Sequence, residues 1–165
     1  FSFLQSKKLY TVDDLDNALH AMQDKIDALK KSASAKQARI KEVDELLRMV
    51  DYYKSGKPAA DKLKSIRFEK SRQKYKSEHD NDLRTFYMAE RKLKPHFKDG
   101  KLPIAAWRKE RAQLEQEYRD IQTELSPLHA DAKKLWAIHY NIYEVQHEQE
   151  RQNAATRQKK QEIEH

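Results

Sequence analysis

From Thr11 onward the chain places apolar side chains at alternating steps of three and four residues, the period of a helix that packs along one narrow stripe. Val12, Leu19, Ile26, Ala33, Ile40 and Leu47 recur every seven residues, and Leu15, Met22, Leu29, Val43 and Val50 hold the position three further on. Only Lys36 breaks the second series, at the end of Lys31-Ser-Ala-Ser-Ala-Lys36, where small residues allow close approach or a bend. The pattern predicts a helix starting at Thr11, whose hydroxyl can accept from orphan N–H groups while Asp14 complements the positive helix end. It also predicts a stop near Ser55-Gly56-Lys57-Pro58, with glycine closing this helix and proline opening the next.

A second seam follows Lys98-Asp99-Gly100-Lys101-Leu102-Pro103, another glycine stop with proline in a first-turn position. It runs through Ile104, Trp107, Leu114, Tyr118, Ile121, Leu125, Leu128, Ala132, Leu135, His139 and Ile142, with Arg111 off pattern. The apolar register passes straight through Ser126-Pro127, which favours one kinked helix; the alternative is a break with Ser126 as N-cap. Trp107 and Trp136 are expected to pack on or beside this seam. Between the seams, Leu63, Ile66, Phe68, Tyr75, Leu83, Phe86, Tyr87, Leu93 and Phe97 fit two shorter helices with a boundary near Ser77 to Asp80. The expected fold is all-α: two long antiparallel coiled-coil-like helices with a shorter helical pair between them. Residues 1–10 read as the exit from a preceding domain or a linker, 11–149 as an elongated helical bundle, and 150–165 as a polar tail that frays or is helical by propensity alone.

Composition narrows the function. With 2 Gly among 165 residues the chain cannot build the tight turns of a phosphate-cradling loop or a dinucleotide fold. No cysteine means no disulfide framework and no thiolate metal site, which suits a reducing cytoplasm. A mean hydropathy of -1.10 leaves apolar surface only for narrow stripes, and no run is long enough to span a membrane. The seven histidines include one Glu144-x-x-His147 but no second Glu-x-x-His, half of what a carboxylate-bridged metal bundle needs. No paired-histidine motif or nucleophile elbow is present. The expectation is a chain that is not itself an enzyme and takes no metal or cofactor.

Charge is concentrated. The chain carries 34 Lys plus Arg against 27 Asp plus Glu, and residues 57–76 hold 8 basic and 2 acidic side chains. That stretch supplies +6 of the formal +7. Lys62, Lys64, Arg67, Lys70, Arg72, Lys74 and Lys76 are the candidate nucleic-acid-binding residues; on one helix Arg67, Lys70 and Lys74 would share a face, with Arg72 and Lys76 beside them. A basic helix interleaved with Phe68 and Tyr75 fits a polyanion backbone, because each phosphate neutralised releases condensed counterion. The bland alternative is a solvated helix whose lysines pair with acids on a neighbour. An anionic membrane surface fits less well, since the strip lacks an apolar face for insertion.

The order Leu9-Tyr10-Thr11-x-x-x-Leu15, Tyr53-Lys54, Lys57-Pro58, Ile66, Lys74-Tyr75, His79, Leu83, Tyr87, Ala89, Leu93-Lys94, Leu102-Pro103, Ala106-Trp107, Glu110, Leu114 and Tyr118 resembles the C-terminal helical region of relaxase/mobilisation nuclease proteins from conjugative or mobilisable elements of Firmicutes. The resemblance covers about Leu9 to Val145. It implies a nicking domain elsewhere in such a protein, with a tyrosine nucleophile and a histidine-bound metal. None of that machinery is in this sequence, so no catalytic role passes to Tyr10, Tyr52 or Tyr53. It implies DNA as partner for the basic strip, other transfer-complex proteins as further partners, and a cytoplasmic setting. The rival expectation is a structural coiled-coil module whose seams pair with a second copy or another protein, with no nucleic-acid role.

Overall fold

The computed structural model describes residues 2–164, which form α1 (Ser2–Ser6), α2 (Val12–Ser65), α3 (Glu69–Glu78), α4 (Asp80–Leu93), a 3₁₀ turn (Lys94–His96) and α5 (Ile104–Glu164). No strand is present among the described residues, as the seam periodicity requires. α2 opens as predicted: the Asp14 N–H donates to Thr11 Oγ1 at 3.0 Å, and the Asp14 carboxylate accepts from the N–H groups of Tyr10 and Thr11 at 3.0 and 3.1 Å. Those two backbone bonds, Tyr10 first, hold the Asp14 carboxyl below its ordinary range.

The predicted stop at Gly56 and Pro58 is overturned, because α2 continues through both to Ser65. Gly56 is where α4 comes closest: a Cβ there would lie 2.6 Å from Phe86 Cβ and 3.0 Å from the Asp82 carbonyl oxygen. Glycine here admits a neighbouring helix and does not end its own. Pro58 costs a helix interior about 3 kcal/mol, and the next turns offset that by burying Ala60 and Leu63 against Leu83 and Phe86. Gly100 is the glycine that turns the chain. Asp99 and Gly100 both take positive φ, 52° and 74°, and Lys98 and Lys101 exchange two backbone hydrogen bonds of 2.9 Å, the geometry of a two-residue primed turn.

The chain divides into two compact units, one built from residues up to Ala33 with those from Asp120 onward, the other from Ser34–Arg119. In the first, Leu15, Leu19 and Leu135 form one core cluster, with Met22, Ile138 and Ile142 half-buried around it, and Ile26, Ala33, Ile121, Leu125 and Ala132 are buried as well. Phe3, Leu4 and Leu9 pack on the same core, so the segment before α2 is docked. Phe1 lies outside the described residues. In the second unit Val43, Met49 and Val50 of α2 meet Ala89 and Leu93 of α4 and Trp107 of α5. Tyr53 links this cluster to the one beneath Gly56, stacking on Phe86 at 5.0 Å and tilting against Phe97 at 5.7 Å. Of the middle helical pair α4 alone is embedded; α3 buries no residue.

Three polar residues interrupt the seams, and each meets a carboxylate of the facing helix. Lys36 reaches Glu117 at 2.7 Å, Arg111 reaches Asp44 at 2.5 Å, and His139 Nε2 lies 3.0 Å from Asp16. Arg39 grips both oxygens of Glu110, at 2.6 and 3.2 Å. Lys36 with Glu117 and Asp44 with Arg111 in one unit, and Asp16 with His139 and Lys25 with Glu124 in the other, show that within each unit α2 and α5 run antiparallel. α5 is continuous through Pro127, and the alternative break at Ser126 does not occur. Trp136 departs from expectation: it is 48% exposed, its ring edge-on to His139 at 5.6 Å, because Leu135 next to it takes the buried seam position. Beyond Gln149, α5 is exposed at every described position.

Candidate nucleic-acid interface

The basic strip does not form one helix. Ser65 Oγ donates to the Lys62 carbonyl at 2.6 Å, α2 stops, and Ile66 to Phe68 turn a corner before α3 begins. Phe68, in extended backbone at φ -85° and ψ 128°, accepts the first α3 bond from the Arg72 N–H. Lys62 and Lys64 therefore stand on the last turn of α2, Arg67 sits in the corner, and Lys70, Arg72, Lys74 and Lys76 lie on α3.

The corner sorts these cations into two groups. Arg72 folds back, its Nη1 donating at 3.3 Å to the carbonyls of Leu63, in the last turn of α2, and Ile66, just beyond it. The Lys62 ammonium lies 5.9 Å from the centre of the Tyr75 ring, which in turn stacks on His79 at 4.1 Å. Arg72 and Lys62 are thus fasteners of the α2–α3 corner. Lys64, Arg67, Lys70, Lys74 and Lys76 are exposed, and no carboxylate among the described residues lies within ion-pairing distance of any of them. The pairing that the bland alternative requires is absent for these five. On α3 the half-buried Arg72 and Tyr75 mark the inner side, and Lys70 and Lys74, one turn apart, occupy the outer one.

Charge follows the same division. Ser34–Arg119 carries 23 basic and 14 acidic side chains, a net +9, and the remainder of the chain carries 11 and 13, a net -2. In the basic unit, the cations near the seams are neutralised locally: Arg39 is held well above and Arg111 above, and Glu110 and Glu117 below, their ordinary pKa by the hydrogen bonds they share with facing partners. Of that +9, residues 57–76 supply +6.

Beside the corner, a groove of about 490 Å³ is lined by Lys76, Asp80, Leu83, Arg84, Tyr87, Glu90 and Arg91. Arg84, Tyr87 and Arg91 fall outside the strip seen in the sequence. Their signal was there, in the three- and four-residue spacing that puts them on one face of a helix, but it is diluted by the acids Asp80 and Glu90 between them.

Of the tyrosines near the ends of the first seam, Tyr53 is packed between Phe86 and Phe97, and Tyr10 is 74% exposed. Among the described residues no three His, Cys, Asp or Glu side chains converge as a metal-holding group, and no helix is long and apolar enough to cross a membrane. No family model, curated protein or solved structure matches the chain.

Proposed function

We propose that this chain is a non-catalytic helical accessory domain of a relaxase-type mobilisation protein, working in the cytoplasm to hold DNA by its backbone while the transfer complex assembles. One observation carries the DNA-binding part of this reading: Lys64, Arg67, Lys70, Lys74 and Lys76, spread from the last turn of α2 to the last turn of α3, are exposed with no carboxylate in ion-pairing distance among the described residues, whereas the seam cations are paired. Unpaired, exposed ammonium and guanidinium groups fixed on a rigid corner gain counterion-release free energy from phosphates and lose no existing ion pair. The contacts would be to the backbone and would carry no sequence information. The relaxase context rests on the order of motifs from Leu9 to Tyr118.

The test is fluorescence anisotropy of the chain with duplex DNA from about 50 to about 300 mM salt, beside a triple variant R67E/K70E/K74E. Five phosphate contacts predict a log–log salt slope of about -4.5, and the triple variant should weaken binding equally across DNA sequences. Absence of binding to both duplex and single-stranded DNA at the lowest salt sinks the reading.

A structural coiled-coil module is the second reading, and a different observation favours it. Trp136, Tyr140 and Tyr143 recur at steps of four and three on α5 and are 48%, 62% and 51% exposed, a seam-like stripe with no occupant. Binding of a protein partner lost in a W136A/Y140A double variant, with no DNA affinity, would establish it.

A further inference from the structure

The groove beside α3 offers something that a purely electrostatic strip does not. Asp80, Arg84, Tyr87 and Arg91 are spaced four, three and four residues apart on α4, so they form one row along its outer face, with Arg84 about one turn before Tyr87 and Arg91 about one turn after. Lys76 of α3 also lines the groove, as do Leu83 and the carboxylate Glu90 of α4. Tyr87 is 37% exposed, its ring fixed edge-on against Phe86 at 5.3 Å, and Phe86 is itself buried. Asp80 holds Arg84 at 2.5 Å, whereas Lys76 and Arg91 have no carboxylate within ion-pairing distance among the described residues. Lys76, in the last turn of α3, is the one cation of the strip that lines the groove among the described residues.

We infer that this groove binds single-stranded DNA, with Tyr87 stacking on one base and Lys76 and Arg91 taking the flanking phosphates. The inference rests on the DNA-binding reading and sharpens it to a strand form. A duplex keeps the faces of its bases stacked inside and presents only phosphates to this wall, leaving the ring without a partner. A single strand can turn a base outward onto an aromatic side chain while its backbone follows a basic groove. The rigid seat of the ring against Phe86 means that little side-chain freedom is lost on stacking.

The experiment compares wild type, Y87A, Y87F and R67E/K70E/K74E against three probes at low salt: an oligothymidylate of about 15 nucleotides, an abasic strand of the same length, and a duplex. The expected pattern is that Y87A weakens oligothymidylate binding by about 5- to 100-fold, that Y87F keeps it, and that Y87A leaves duplex and abasic binding unchanged. Circular dichroism of Y87A checks that the fold is intact, and the Y87F result carries the test if it is not. Equal wild-type affinity for abasic strand and oligothymidylate, or a Y87A or Y87F loss shared by the duplex, overturns the stacking role while leaving the basic corner standing. Failure of wild type to bind any of the three overturns the underlying reading itself.

Discussion

Gly56 of α2 and Phe86 of α4 are so close that a methyl group on the first would lie 2.6 Å from Cβ of the second. Two effects oppose each other at this position. Alanine is better than glycine inside a helix by about 1 kcal/mol, while overpacking a tight contact costs about 1–3 kcal/mol. The atoms met are Phe86 Cβ and the Asp82 carbonyl oxygen, which belong to or adjoin the α4 backbone and cannot swing aside, so the clash wins. G56A is expected to lower stability by about 1–2 kcal/mol, seen as a lower urea midpoint at constant slope. A raised midpoint would mean that α4 can slide.

Arg72 and Lys70 separate the two kinds of cation in the strip. R72A removes the donor to the Leu63 and Ile66 carbonyls and should destabilise the corner by about 1 kcal/mol, with little change in the salt slope of DNA binding. K70A should do the reverse, flattening the slope by about 0.9 and leaving the thermal midpoint in place. The same pair of titrations and melts reads both, and an R72A slope change as large as that of K70A would return Arg72 to the interface.

The seams close within one chain, which fixes what a polar substitution in them does. Val43 is fully buried against α4 and α5, so V43D places an uncompensated carboxyl in a core and should unfold the protein, at a cost above about 3 kcal/mol. Circular dichroism should show loss of cooperative melting, and analytical ultracentrifugation should find no wild-type oligomer that the substitution dissociates. A folded monomer produced from a wild-type dimer would contradict intrachain packing. Leu29 and Leu47, equally regular in the heptads, are only half-buried and would report less sharply.

Acid should loosen the facing helices through Glu110 and Glu117. The hydrogen bonds from Arg39 lower the first and those from Lys36 and Gln113 lower the second. A carboxyl whose pKa is lowered on folding contributes stability that is complete above its unfolded value, about 4.3, and disappears as pH falls through the lower folded value. The thermal midpoint of wild type is therefore expected to fall between about pH 4.3 and pH 2 more steeply than that of E110Q/E117Q. Parallel curves would show that other carboxylates govern acid unfolding.

The exposed end of α5 is expected to be dispensable for folding. Ending the chain after Gln149 removes only exposed positions and should change stability by less than about 0.5 kcal/mol, while the helical signal per molecule falls. A larger loss would show that the segment is held by something beyond its own helix propensity.

Much of this was legible in the residues and some was not, and the division is physical. The seam pattern, the Thr11–Asp14 capping box, the start of α5 at Ile104 and its passage through Pro127 follow from side chains within a few residues of one another, so a sequence suffices to read them. The stop at Gly56 was misread because glycine has two uses, ending a helix and admitting a neighbour, and Phe86 lies thirty residues away. Leu135 holds the seam position that its spacing assigned, and how little of the neighbouring Trp136 would be covered was set by packing that no local pattern shows.

For the basic strip, the sequence determined which residues carry charge and that twenty positions hold most of the surplus. It could not say which of those charges remain available. The tertiary structure turned a corner after Ser65, drew Arg72 back onto the Leu63 and Ile66 carbonyls and Lys62 over Tyr75, and left Lys64, Arg67, Lys70, Lys74 and Lys76 without a carboxylate partner among the described residues. Helix class and seam register are properties of local period, fixed by the chain's own spacing. Whether a cation is free depends on which acceptor or carboxylate the fold brings beside it, and only packing between distant segments decides that.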